Sequence, residues 1–379
     1  MISLPGMEKL WAALPEARMV GGAVRDMLAG RAVADVDFAS PLTPEAVMAR
    51  ARAAGLKAVA TGVEHGTVTV VAAGHGFEVT TLRRDVETDG RHAVVAFTDD
   101  WREDAARRDF TINAMSCTQG GEVFDYFAGQ ADLAAGIVRF VGEARLRIAE
   151  DYLRILRFFR FFARYGQGGP DAAAVAAIAE GCHGLRRLSA ERVWSEVKKI
   201  LAAPGPMESV ALMRETGVLE IVLPGAKPER LAALLARGAP ADPLLRVAAL
   251  SDEDLAARLR LSGAEAERLA EWRVPLALTP EDDDADLRCA LAEASHEALA
   301  GRVWLQGGDG PGWAGLRDRL AAMERPVFPL QGRDLAALGV EPGVRMGEIL
   351  AAARRWWMAG GCVADKAECL ARARDLAGR

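Results

Sequence analysis

At 379 residues, with 51% hydrophobic and 26% charged side chains, the chain is long enough for two or more compact units of roughly 100–200 residues each and too apolar for disorder. No apolar run approaches the ~18 residues that span a bilayer, and the N-terminal residues lack the charged-then-apolar layout of a secretory leader, so no membrane association and a cytoplasmic location are expected. The formal net charge of −6 disfavours a surface coated in basic residues but leaves room for a local basic patch, and the five scattered cysteines, without a Cys-x-x-Cys pair, give no disulfide framework.

The first ~140 residues read as α/β. Short β-rich runs at 17–20, 33–39, 67–72, 77–82 and 94–98 alternate with glycine turns. Thr43-Pro44-Glu45 is an N-cap followed by proline at the first helical position, and opens a helix to about Ala54. Tight connections such as Gly74-His75-Gly76 predict antiparallel pairs, unlike a doubly wound sheet. From about Ala144 alanine, leucine, arginine and glutamate dominate, and helices are predicted at 149–165, 190–201 and 252–261, punctuated by Gly168-Gly169-Pro170, Pro204-Gly205-Pro206 and Pro224-Gly225. The predicted architecture is an α/β head over 1–140, a helical neck over 141–225, and a helical body and tail over 226–379.

Two patterns in the head carry chemistry. Val20-Gly21-Gly22-Ala23-Val24-Arg25-Asp26 sits at a strand-to-helix turn, where Gly21 and Gly22 let backbone N–H groups approach an anion and Arg25 adds a charge-assisted contact. Asp35-Val36-Asp37 follows on the next predicted strand. Residues i and i+2 of a strand share a face, so Asp35 and Asp37 project together. Two carboxylates held that close favour a bound cation, and two Mg²⁺ ions so held can activate an attacking hydroxyl and stabilise a leaving pyrophosphate.

The run from Gly21 to Gly30, continued through Asp35-Val36-Asp37, resembles the signature of the bacterial-type (class II) tRNA nucleotidyltransferase and poly(A) polymerase family, within the polymerase-β-like nucleotidyltransferases. Arg107-Arg108-Asp109-Phe110-Thr111-Ile112-Asn113-Ala114 is similar to that family's second motif, which implies Asp109 near the ribose hydroxyls and Arg108 near the nucleotide. Asp125-Tyr126-Phe127-Ala128-Gly129 resembles its hinge-like connector, and Glu78 is the candidate third metal-site carboxylate, an ion pair with Arg83 or Arg84 being the alternative.

Glu150-Asp151-Tyr152-Leu153-Arg154-Ile155-Leu156-Arg157 resembles the segment with which the family reads an incoming base without a template. Asp151 and Arg154 are three apart, one helical face, and a plain intrahelical ion pair is the alternative reading. Cytosine and adenine each place an amino donor beside a ring acceptor, which a carboxylate and a guanidinium can match; uracil and guanine present the reverse pattern and would leave both unpaired, at about 1–3 kcal/mol per group. Arg157 and Arg160 continue down the helix among phenylalanines as nucleotide or triphosphate contacts.

Residues 83–92 read as a mobile polar loop between strands, and in relatives that add all three nucleotides a loop here helps switch from C to A, with Arg91 the candidate lever. Ser189-Ala190-Glu191-Arg192-Val193-Trp194-Ser195-Glu196 resembles a last shared motif, with an N-cap serine and a bracing role. The resemblance covers about residues 18–225 and implies Mg²⁺-dependent addition of CCA to tRNA from CTP and ATP. The alternatives are a poly(A) polymerase, which usually has a basic tail that this chain lacks, and a non-catalytic RNA-binding scaffold, against which the intact Asp35 and Asp37 speak.

Overall fold

Residues 67–72 show how the sheet is built: Val68, Val70 and Ala72 are buried while Thr67, Thr69 and Val71 are partly exposed, the period of two that a half-buried strand requires. The computed structural model describes the backbone of residues 4–33, 35–89 and 92–378, and their side chains except at 85–89 and 92–95. Its strands are β1 (Arg18–Val20), β2 (Asp37–Ser40), β3 (Lys57–Gly62), β4 (Thr67–Ala72), β5 (His75–Thr81), β6 (Arg83–Asp89), β7 (His92–Phe97), β8 (Met115–Cys117) and β9 (Val123–Asp125). Seven form one sheet in the order β3-β4-β5-β2-β1-β8-β9, while β6 and β7 pair as a separate ribbon. Only β2 and β5 run parallel; the other pairs are antiparallel, as the tight connections predicted.

One face of the sheet is core. Met19, Phe38, Phe77, Val79 and Val68 are buried there with residues of α1 (Met7–Ala13). Phe38 meets Trp11 and Phe77 edge to face at 5.3 and 5.8 Å. Helix α2 (Gly22–Leu28) leaves β1 through Gly21, and α3 (Pro44–Ala53) begins at the predicted cap, where Thr43 accepts from the Ala46 amide. The opposite face carries a row of register partners, Val20 beside Asp37 and Asp37 beside Glu78.

The helices that follow are α4 (Trp101–Ala106), α5 (Gly129–Ala135), α6 (Ala144–Glu150), α7 (Leu153–Tyr165), α8 (Ala172–Gly181), α9 (Ala190–Leu201), α10 (Met207–Glu215) and α11 (Val218–Val222). Phe158, Phe159, Phe161 and Phe162 of α7 are buried, and Phe158 and Phe161 pack near Phe110. The chain divides at Pro228 into two compact units. The second, from Glu229, is helical among the described residues and has buried clusters of its own, around Leu287, Leu299 and Leu316 and around Leu335, Ile349 and Trp357. No helix among the described residues is long and apolar enough to cross a membrane.

Three sequence expectations need correction. Residues 33, 35 and 36 are not strand, because β1 ends at the Gly21 turn and its Val20 already pairs with Asp37, so nothing remains for these earlier residues to pair with. The loop expected over 83–92 is largely the β6–β7 ribbon; such a ribbon lies outside the main sheet and need not show apolar alternation. Arg91 lies outside the described residues. The single helix expected over 149–165 is two, α6 and α7, broken at Asp151-Tyr152, where Asp151 is extended (φ −154°) and its Oδ1 accepts from the Leu153 amide at 3.0 Å. That local bond offers the backbone an alternative to a continuous helix.

Candidate active site

The ends of β1, β2 and β5 open onto a cavity of about 940 Å³, closed on its other sides by residues of α4, α7 and α9. Among the described residues, ten basic and seven acidic side chains line it. An acidic chain thus concentrates positive charge in one place, which is what a polyanionic ligand requires.

Asp37, at the start of β2, stands directly beside Glu78 on β5, and Asp35 precedes the strand by two residues. Asp35 is therefore on a loop and not on the strand face expected for it, yet all three carboxylates line the cavity. Burial raises the Asp37 carboxyl above its ordinary value; the charges of Glu78 and Asp35 push the same way, and Arg108 partly offsets them. Crowded negative charge among oxygen donors is the chemistry that suits a hard divalent cation. Among the described residues no three acidic, histidine or cysteine side chains are already gathered tightly enough to hold an ion alone.

Gly21 adopts φ 67°, and a Cβ there would lie 2.8 Å from Arg108 Nη1. Only glycine lets β1 turn and the Arg108 guanidinium approach together. The Gly21 amide donates to Met115 O on β8 at 3.2 Å, so it extends the β1–β8 pairing and is not free for an anion as the sequence reading had it. Gly22 opens α2 on the cavity wall. Arg25 is buried, and its guanidinium donates to Asp26 and, at 2.6 Å, to Asn113 Oδ1, with the Tyr165 ring 4.6 Å away. Arg108 Nη2 reaches Asp104 at 3.2 Å.

Asp109 is buried and fully engaged. Its Oδ1 accepts from the Phe110 amide and Asn113 Nδ2, and its Oδ2 from Arg157 Nε at 2.7 Å. Burial alone would raise this carboxyl, but the Arg157 charge and the hydrogen bonds hold it below its ordinary value. Arg160 lies over the Phe161 ring at 4.5 Å and pairs with buried Glu196 at 3.3 Å. Arg154, Arg157 and Arg160 all reach the cavity, and so does Arg164, one turn further along α7.

Asp151 and Arg154 line the same cavity but do not form the intrahelical pair. Asp151 caps the end of α6, off the helix, and its Oδ2 accepts from Arg192 at 2.8 Å. Arg154 instead pairs with Glu150 and donates to Arg147 O at 3.1 Å. Arg192 Nη1 is buried with no hydrogen-bond partner among the described residues. Ser189 precedes α9 as expected, but its side chain makes no capping bond; the following helix contributes Arg192, Glu196 and Lys199 to or behind the cavity wall.

Sequence reasoning named the carboxylates and the arginine stripe. It passed over Asn113, Asp104, Tyr165 and the placement of Arg192. Asp104 could have been found, since it precedes Arg107 and Arg108 by three and four residues on one helical face. The others meet their partners only through the fold.

Residues 17–139 match the Poly A polymerase head domain family, and residues 170–230 match a family described as the probable RNA and SrmB-binding site of polymerase A. The chain is 38% identical over 362 residues to CCA tRNA nucleotidyltransferase 1, mitochondrial, of Danio rerio, covering 90% of this chain and 83% of that one. It is 42% identical over 212 residues to the CCA-adding enzyme of Geobacillus thermodenitrificans (strain NG80-2), covering 55% and 51%. The crystal structure of the Bacillus stearothermophilus CCA-adding enzyme in complex with CTP superposes with a TM-score of 0.73 at 28% identity, covering 98% of both chains. The chain belongs to the class II tRNA nucleotidyltransferase and poly(A) polymerase head family.

Proposed function

We propose that this chain adds CCA to the 3′ end of tRNA, using CTP and then ATP and releasing pyrophosphate. The observation that carries the reading is one cavity holding the Asp35/Asp37/Glu78 carboxylates, the Asp151 and Arg154 side chains and a net basic wall, in a chain 38% identical to a CCA tRNA nucleotidyltransferase over most of its length. The same family includes poly(A) polymerases, but the relatives named above are CCA enzymes.

Each residue has a role in this reading. Asp35 and Asp37, with Glu78 beside them, would hold divalent metal, of which two Mg²⁺ are expected; it would supply Lewis-acid activation of the attacking hydroxyl and charge neutralisation for the leaving pyrophosphate. Asp109 and Arg108 receive the ribose and the nucleotide. Gly22, Arg25, Arg157 and Arg160 receive the triphosphate, with Gly21 shaping the turn beneath it. Asp151 accepts from the amino group of cytosine or adenine while Arg154 donates to the ring nitrogen, and uracil and guanine leave both unsatisfied. Arg192 keeps Asp151 oriented. Arg91 is the candidate lever for the change from C to A. The neck beyond residue 140 and the body beyond 225 contact tRNA, and the cytoplasm or an organelle matrix that contains tRNA is the place of action.

The test is incubation of the protein with Mg²⁺, tRNA lacking its CCA end, and CTP and ATP singly and together. Growth by three nucleotides that requires both and then stops is expected. Open-ended growth with ATP alone on any RNA would favour poly(A) synthesis, and no incorporation on any RNA would favour the scaffold.

A further inference from the structure

All five cysteines are thiols in this structure, yet two of them, 73 positions apart in sequence, are folded into contact. Cys289 is on the helix Asp284–Glu293, and Cys362 is in the turn that follows the helix Val344–Ala359. Their sulfurs are 3.6 Å apart, with the Cys362 thiol donating to Cys289. Neighbouring bonds hold this approach in place. Arg288 Nε donates to Gly361 O at 2.7 Å and the Cys289 thiol to Met358 O at 3.0 Å, which fastens the first helix to the turn. The Gly361 and Cys362 amides donate to Met358 O and Trp357 O at 2.9 and 3.0 Å, which closes the turn itself. Cys362 has φ 60°, in the left-handed region where glycine or asparagine is the usual residue. A cysteine has no backbone reason to stand there; what its side chain does there is meet Cys289.

Sulfurs in van der Waals contact need to close by only about 1.5 Å to reach the ~2.05 Å of a disulfide. The two differ in access. Cys362 is 7% exposed, and burial together with the Cys289 contact pushes its thiol up to about 12, so it stays protonated at neutral pH. Cys289 is half-buried, and Val363, next to Cys362, is 65% exposed, so the pair lies just under the surface. The Cys289 sulfur is the one a small oxidant meets first. Cys369, on the helix Lys366–Ala377, belongs to the same apolar cluster but is fully buried and donates to Ala364 O at 3.8 Å.

We propose that Cys289 and Cys362 are a thiol pair that a peroxide converts to an intramolecular disulfide, pinning the helix Asp284–Glu293 to the turn after the helix Val344–Ala359. In the first step the Cys289 sulfur attacks one peroxide oxygen; the O–O bond breaks, and sulfenic acid and water form. The Cys362 sulfur then attacks the Cys289 sulfur, the S–S bond forms, and the S–O bond breaks. The Cys362 proton, already directed at Cys289, passes to the departing oxygen, and a second water leaves. A reducing compartment keeps such a pair as thiols, so the bond forms only under oxidant and is undone by a dithiol. The pair lies in the unit from Glu229, which supplies none of the described residues lining the cavity, so its chemistry does not depend on the nucleotide site.

The test treats the full chain with hydrogen peroxide, alkylates the remaining thiols and maps the unreduced peptides by mass. The expected product is one cross-linked pair holding Cys289 and Cys362, two hydrogens lighter than its parts and released by dithiothreitol. C289S and C362S should each abolish it, and in C362S the Cys289 sulfur should run on to the sulfinic acid. C362G removes the same sulfur while suiting the left-handed turn, and serves if C362S does not fold. The amides of Gly361 and Cys362 should exchange hydrogen at least about tenfold more slowly in the oxidised parent than in the reduced one, with no such change in C289S. Peroxide that leaves both thiols open to alkylation, carries Cys289 of the parent to the sulfinic acid, or joins either residue to Cys369 would overturn the pairing. A bond that forms without slowing exchange would overturn the pinning.

Discussion

A single side chain can decide base choice only if its neighbours hold it in the right direction, and those of Asp151 do. Its Oδ1 is tied to the Leu153 amide and its Oδ2 to Arg192, which leaves further lone pairs for an amino group of the incoming base. Removing the carboxylate takes away the acceptor that rewards cytosine and adenine, and also the group that uracil or guanine would strand. D151A is therefore expected to raise UTP and GTP incorporation relative to CTP by about 10–100-fold, the scale of 1–3 kcal/mol. Single-nucleotide addition to tRNA lacking CCA measures the ratio; if D151A refuses UTP and GTP as firmly as the parent, Asp151 does not read the base. At this scale the sequence was a good guide to residue type and a poor one to partners. Asp-x-Asp, the Gly-Gly turn and the arginines at three-residue spacing were all legible. That Asp151 pairs with Arg192, 41 positions away, and Arg154 with Glu150 depends on how α6, α7 and α9 pack, which no local spacing encodes.

Among the elements, the break between α6 and α7 matters most to the site, because it puts Asp151 outside the helix that carries Arg154. The break is braced from below. Gly184, in the turn of 3-10 helix Cys182–Arg187, lies against Tyr152, and a Cβ at 184 would sit 2.0 Å from the Tyr152 ring. Alanine there must push the ring, and with it the residue next to Asp151. G184A is expected to destabilise by about 1–3 kcal/mol through overpacking and to loosen C/A selection. G205A, with nothing within 4 Å of its new Cβ, should stay within about 0.5 kcal/mol of the parent. Urea midpoints and UTP misincorporation for the two variants test this; unaltered selectivity in a destabilised G184A would detach the break from base choice. The helix running through 151 in the sequence reading came from a correct periodicity: Ile155, Leu156, Phe158, Phe159 and Phe162 are buried on one side. The same period carries no mark of the Asp151–Leu153 bond. Likewise strands such as Thr67–Ala72 declared themselves by alternation, whereas β8 and β9, three residues each, are too short to show a period.

At the scale of the molecule, a net charge of −6 conceals a cavity whose lining carries ten basic and seven acidic side chains, and every one of those residues lies before Pro228. The unit that ends there has its own core, from Leu10, Phe38 and Val79 under the sheet to Phe158 and Phe159 on α7. A fragment of residues 1–228 therefore contains every residue proposed above to bind nucleotide and the apolar burial needed to hold it. In the presence of Mg²⁺, CTP at about 100 times its Kd should stabilise the fragment by about 2.7 kcal/mol, a rise of roughly 5–10 °C in Tm, as in the full chain. UTP at the same concentration should give a smaller shift, since the proposed base-reading pair, Asp151 and Arg154, is also within the fragment. A folded fragment that fails to respond to CTP would mean that residues beyond 228 supply part of the nucleotide site, and the assignment of Asp109, Arg157 and Arg160 as its main contacts would have to be withdrawn.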